Sequence, residues 1–260
     1  MSTGGVLAGL TALVTGGTAG IGGACAEALL AAGVAALVVN GRNRERGEQG
    51  VADLRSRFPD ATVLLAVGDM TVPGDAEAVM AQAVGALARV DVLVNATGGD
   101  DLPALLHETP LSAIPGIAQR CLVGHMLSCR AALPHMRARK AGAIINIASD
   151  AAKIPTPGES VIGAAMAGIL MFTRGLALEA KHDGIRANVL TPSLISGTAH
   201  FDRIMADPFA GKLLRRAAQK AALGVVSKQE LANLAVFLAS PAAAKITGQA
   251  ISMTGGISAQ

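Results

Sequence analysis

Residues 10–22 read Leu-Thr-Ala-Leu-Val-Thr-Gly-Gly-Thr-Ala-Gly-Ile-Gly, an apolar run ending in a glycine loop, with an alanine-rich stretch behind it. Glycines permit a tight turn and let the backbone approach a pyrophosphate. A helix opening behind them turns unpaired N–H groups and a positive dipole end toward the phosphates. Gly16, Gly20 and Gly22 keep a Gly-x-x-x-Gly-x-Gly spacing, which differs from the commonest dinucleotide fingerprint, and a ligand-free turn is the plain alternative. Cys25, Cys121 and Cys129 are too far apart for metal-ligand pairing, and His107, His135 and His182 show no metal spacing either. Such thiols fit a reducing compartment and an ordinary core. The chain has no tyrosine, so every mechanism that needs a phenol is closed to it.

These groups need a scaffold, and the pattern supplies one. The first strand leads through the loop into a helix over 20–32, which Gly33 stops. Residues 36–40 (Ala-Leu-Val-Val-Asn) are a continuous apolar strand, the kind that suits a parallel sheet covered on both faces. A charged helix over 44–57, a strand over 62–67, a helix over 73–88 with proline near its start and a strand over 90–95 continue the alternation. A long helix within 117–140, a strand over 143–148, a helix over 163–182 and a strand over 185–190 follow. Residues 196–224, more polar and less periodic, read as a helical flap. Ser227 and Glu230 form a capping box for a helix through 238, and 250–253 is a last strand. This order predicts an α/β fold with a doubly wound parallel sheet, one domain over 1–260, with ligands at the C-terminal ends of the strands.

Composition narrows the function classes. The chain has 260 residues, 51% hydrophobic and 16% charged, which is ample for a core and too apolar for disorder. A net charge of +3 invites nucleic acid, yet the cations are spread out except over 42–57, and aromatics make up only 2%. No nucleic-acid partner is expected. Residues 6–40 are nearly uncharged, but Glu27 and the glycines break them up, so no membrane span is expected. The start of the chain shows no basic run before an apolar segment, and a soluble cytoplasmic protein is the expectation.

The motif at 15–22, Asp69 after the third strand, Asn95 closing the fourth, Ile-Ile-Asn-Ile-Ala-Ser at 144–149, Arg-Ala-Asn at 186–188 and Ile-Thr-Gly-Gln-Ala-Ile-Ser-Met-Thr-Gly-Gly at 246–256 resemble the short-chain dehydrogenase/reductase family over nearly the whole chain. The resemblance implies a Rossmann-type fold and a nicotinamide cofactor. It places Gly16, Thr18, Ala19, Gly20, Ile21, Gly22, Asp69, Met70 and Asn95 at that cofactor and Ile195 on its nicotinamide side. It also implies a small-molecule substrate and a homotetramer built on a four-helix interface, or a hetero-oligomer with an active relative. The second strand of an NAD-binding protein usually ends in an acidic residue that holds the ribose hydroxyls. Here Gly41 stands there and Arg42 follows. Glycine removes repulsion against a 2′-phosphate and arginine offers it a forked donor, which favours NADP(H).

The catalytic pattern is another matter. In the family a Ser, a Tyr thirteen residues on and a Lys four beyond that do the chemistry. Counting from Ser149, the family's donor to a carbonyl oxygen, gives Ile162 and Met166, and the following Ala-Gly-Ile at 167–169 holds the register. An enoyl-reductase spacing would put Glu159 at the tyrosine place and still leave Met166 for the lysine. Cys121 falls where a helix asparagine is expected. Neither an isoleucine nor a methionine carries a titratable proton, so the expected activity is atypical or weak carbonyl/alcohol redox chemistry. A silent subunit and a redox-neutral isomerase or dehydratase are the alternatives. Substitute acids are at hand. His125 shares a helix face with Cys121 at i, i+4, although a packed core histidine is the plainer reading. Asp150, Lys153, Thr97, Asp100 and Asp101 lie in loops near the strand ends, and Glu159 and Ser160 precede the degenerate helix.

Overall fold

The computed structural model describes residues 5–259; the reading of the chain's first residues as leader-free falls partly outside that range. β1 (Thr11–Thr15), β2 (Ala36–Gly41), β3 (Thr62–Val67), β4 (Val92–Asn95), β5 (Gly142–Ile147), β6 (Ile185–Pro192) and β9 (Ala250–Met253) form one parallel sheet in the order β3-β2-β1-β4-β5-β6-β9. The direction of winding reverses between β1 and β4, which opens a crevice above their C-terminal ends. Both faces are covered. Ala12 and Val14 join Leu29, Leu231 and Leu238 on one side, while Leu13 between them joins Met80, Met136 and Leu176 on the other. Alternate residues of β1 thus serve two cores, which is why the strand is apolar throughout. Cys25 and Cys129 lie in these cores without any exposure, and burial pushes each thiol up to about 12.

The helices α1 (Gly20–Ala31), α2 (Arg44–Arg57) and α3 (Pro73–Leu87) follow the expected pattern. The expected helix within 117–140 is present, reaching back to 114 with a π turn inside it. It divides into α4 (Ile114–Ala118), a π turn over Gln119–Val123 and α5 (Gly124–Arg139). The next helix, α6 (Ser160–Ala180), starts three residues before the expected 163, with Glu159 at its N-cap position. By length and composition the stretch Ser160–Asp183 could cross a membrane. Its residues Ile169, Leu170, Leu176 and Ala177 are instead buried against the rest of the fold.

The flap is helical as expected, α7 (Ala199–Ala206) and α8 (Pro208–Ala218), with Thr198 and Asp207 capping them. Its two ends are tied by a pair of short strands absent from the sequence reading, β7 (Ile195–Ser196) and β8 (Val226–Ser227). The capping box at α9 (Lys228–Ala239) is formed: Ser227 N–H donates to Glu230 Oε2 at 2.8 Å and Glu230 N–H donates to Ser227 Oγ at 3.2 Å. Ser227→Ala therefore lowers stability by about 1 kcal/mol in urea unfolding; an unchanged midpoint would show that the box is idle.

Candidate functional site

A cavity of about 710 Å³ opens above the C-terminal ends of β1, β4, β5 and β6, closed on one side by α7 and α8. Its first wall is the glycine loop. Gly16 has φ +64°, and a Cβ there would sit 2.6 Å from the Ala96 carbonyl oxygen; a Cβ on Gly22 would overlap the Gly16 carbonyl oxygen. Nothing larger than glycine keeps this turn. Ala19, Gly20, Ile21 and Gly22 line the cavity, and α1 meets it with an N-terminus that has no side-chain cap and no acid in its first turn. Uncapped amides at a cavity wall fit a pyrophosphate.

Beside this wall, Arg42 is mostly exposed, its Nη1 3.8 Å from Asp69 Oδ2. Burial pushes the Asp69 carboxyl up, but hydrogen bonds from the Thr71 N–H and hydroxyl together with the Arg42 charge hold it below the usual range. A Cβ on Gly41 would lie 2.7 Å from Thr18 Cγ2, so Thr18 fills the space an acidic side chain would need. Arg46, one turn into α2, reaches the cavity wall near Ala19. Sequence reasoning missed it because a solvated helix face offers no signal to tell one arginine from its neighbours.

Not every expected residue faces the cavity. Asn95 is fully buried beneath it: its Oδ1 accepts from Thr15 Oγ1 at 3.1 Å and its Nδ2 donates to Asn146 Oδ1 at 2.9 Å. Met70 is buried too, packed near Gly124. Ile195 does line the cavity, with Thr198 next to it. Thr198 was not singled out in the sequence; a threonine ahead of a helix was the signal available.

The far wall carries the chemistry. Ser149 lines the cavity and its Oγ accepts from the Ala151 N–H at 3.2 Å, which leaves the hydroxyl proton free to donate. Ile162 and Met166 line the same cavity, so the two positions counted from Ser149 do face the space that holds it. Glu159, at the N-cap position just before the helix, lines the cavity with them. Burial, and behind it the Asp150 charge, push the Glu159 carboxyl above the usual carboxylate range despite a hydrogen bond from Thr156. Asp150 is 5% exposed; its Oδ2 accepts from Ser258 Oγ at 2.7 Å, and its buried Oδ1 has no hydrogen-bond partner.

The other substitutes fall away. His125 is fully buried, does not line the cavity, and has Nε2 3.1 Å from the Ile147 carbonyl oxygen. Burial pushes it down to about 4, so it is neutral at ordinary pH. Of His125 and Cys121, only Cys121 lines the cavity. Burial lifts the Cys121 thiol above its usual range. Lys153 donates to the Ala250 carbonyl at 2.9 Å and to Ser252 Oγ at 2.8 Å. Asp101 lines the cavity but is gripped by Arg120 at 2.6 and 3.1 Å, and Asp100 pairs with Arg203 at 3.0 Å. Among the described residues no cluster could hold a metal.

Residues 10–208 match the family model "short chain dehydrogenase". The chain is 32% identical over 252 residues to 2-(R)-hydroxypropyl-CoM dehydrogenase of Xanthobacter autotrophicus, covering 95% of this chain and 98% of that one. It is also 32% identical over 259 residues to D-beta-hydroxybutyrate dehydrogenase of Rhizobium meliloti, covering 96% and 99%. Among solved structures it superposes on levodione reductase with a TM-score of 0.90 at 26% identity, covering 96% of this chain and 98% of that one.

Proposed function

The chain belongs to the short-chain dehydrogenase family of nicotinamide-dependent oxidoreductases, and on that premise we propose that it binds NADP(H) and acts, weakly or atypically, on the carbonyl or alcohol group of a small molecule. When bound, the dinucleotide supplies or takes up a hydride. The glycine loop and the uncapped start of α1 hold its pyrophosphate, Arg42 and Arg46 take a 2′-phosphate, and Ile195 and Thr198 face its nicotinamide end. Ser149 donates its hydroxyl to the substrate oxygen.

The observation that carries the NADP(H) preference is Arg42 standing beside a strand end where Thr18 crowds out any acid. A charge-assisted hydrogen bond contributes about 1.5–3 kcal/mol. Arg42→Ala therefore weakens NADPH binding by roughly 10- to 100-fold and leaves NADH almost unchanged. Isothermal titration with both nucleotides checks this, and equal affinities in the parent protein would overturn it.

A second reading has its own support. Ile162 and Met166 remove the family's proton donor and its cationic helper, and Met126, Met171 and Leu178 on α5 and α6 are exposed apolar side chains. A subunit without turnover, paired through these helices with an active relative or with its own copies in a tetramer, would look like this; a redox-neutral isomerase or dehydratase would also need no hydride partner. Size-exclusion with light scattering reads the assembly. Three unpaired buried cysteines support a cytoplasmic location.

A further inference from the structure

With tyrosine gone, the wall around Ser149 keeps two carboxyl groups, and their environments differ. Glu159 sits at the N-cap of α6, three residues before the Ile162 position, and lines the cavity with Ile162 and Met166. Asp150, in the turn after β5 and held by Ser258, lines the same cavity. Burial and a neighbouring negative charge each favour the protonated form of a carboxyl group. Asp150 accepts from Ser258 at Oδ2 and leaves its buried Oδ1 without a hydrogen bond. Glu159 is half-buried with the Thr156 hydroxyl as its partner, and both burial and the Asp150 charge favour its protonated form.

We propose that Glu159 is the catalytic acid of this cavity, donating the proton that the family's tyrosine would give, with Asp150 as the positioning charge that keeps it protonated. The inference rests on the carbonyl-reduction reading above. In that reaction the substrate carbon takes a hydride supplied by reduced nicotinamide and the C=O π bond opens. The oxygen takes the proton from Glu159 as its O–H bond breaks, and the carboxylate regains a proton from water. The reverse direction uses the same groups with Glu159 as base.

The other charged groups at the cavity leave this assignment intact. From the loop after β4, Asp100 and Asp101 are each paired with an arginine. From the π turn comes the Cys121 thiol, which burial keeps protonated. The flap contributes His200, Arg216 and Lys220, and α2 contributes Arg46. Burial, reinforced by the Arg203 charge, pushes His200 below the usual imidazole range, so it is neutral near pH 7.

The test has a spectroscopic arm and a kinetic arm. In nucleotide-free protein carrying side-chain ¹³C-glutamate, one carboxyl titrates above all the others, its signal is missing in Glu159→Gln, and Asp150→Asn moves it to lower pH. With NADPH and diacetyl as the probe carbonyl, turnover falls as pH rises through that same titration, because the acid must be protonated to donate. Glu159→Gln lowers kcat about 100-fold and flattens the limb, while NADPH affinity, read by fluorescence, stays within about two-fold of the parent. Glu159 titrating with the bulk of the glutamates, an unchanged rate in Glu159→Gln, or no turnover of diacetyl by a parent that binds NADPH each overturns the proposal. A parent that binds no NADPH removes the underlying reading as well, so the two failures are told apart.

Discussion

Ile162→Tyr together with Met166→Lys raises carbonyl reduction by about 10²- to 10⁴-fold when measured on a Glu159→Gln background, and by less on the parent. That gain corresponds to roughly 3 to 5 kcal/mol of barrier. It comes from restoring both halves of one device. A phenol alone has a pKa near 10 and binds its proton too tightly to exchange it readily near neutrality. A lysine four residues on, at i, i+4, lies over the same face of α6, and its charge lowers that value. Either single change should therefore give well under a tenth of the joint effect, since groups that act as a unit fail and recover together. Ile162 and Met166 are partly exposed to the cavity, so the larger side chains enter open space rather than the packed core. NADPH oxidation with diacetyl reads the gain. No increase in either background, with NADPH bound, would show that these positions do not face the reacting carbonyl.

The second large effect is structural. Thr15, Asn95, Asn146 and Thr173 form a fully buried chain of hydrogen bonds across β1, β4 and β5 into α6. Asn146 is its middle: Oδ1 accepts from Asn95 at 2.9 Å and Nδ2 donates to Thr173 Oγ1 at 2.8 Å. Asn146→Ala leaves the Asn95 amide with only its 3.3 Å contact to Cys129 Sγ and removes the donor to Thr173. Thr173 still donates to the Ile169 carbonyl at 2.7 Å, so its proton stays satisfied and its acceptor does not. An orphaned buried polar group costs about 1–3 kcal/mol, and two of them plus a small void amount to about 2–4 kcal/mol. For a chain of this length that lowers Tm by roughly 5–10 °C. Urea and thermal unfolding check it; a loss under about 1 kcal/mol would mean that water enters and completes the network.

Both expectations bear on how the site is built. The network under the cavity floor fixes the ends of β4 and β5, beyond which Thr97 and Ser149 line the cavity, and so holds that wall in place. Asn95 belongs to this network rather than to the cavity surface, although a residue closing a strand beside the crevice invites the second reading. What the strand-end position could not show was that Thr15 and Asn146 on neighbouring strands and Cys129 on a helix meet it below the floor.

What the amino-acid order determined by itself was whatever depends on neighbours in the chain. Continuous apolar runs made the parallel strands, the glycine spacing made the phosphate loop, Ser227 and Glu230 capped α9, and the count from Ser149 put hydrocarbon and thioether on the cavity wall. Only the tertiary structure decided which polar groups share that cavity. His125 lies buried while Cys121 reaches the cavity, Glu159 at the N-cap of α6 and Asp150 after β5 line it together, Arg46 reaches in from a helix face that looked merely solvated, and the β7–β8 pair ties down the flap. These depend on helix phase and on contacts between residues far apart in sequence. Side-chain periodicity reports which face is apolar, not which distant charge will stand across from it.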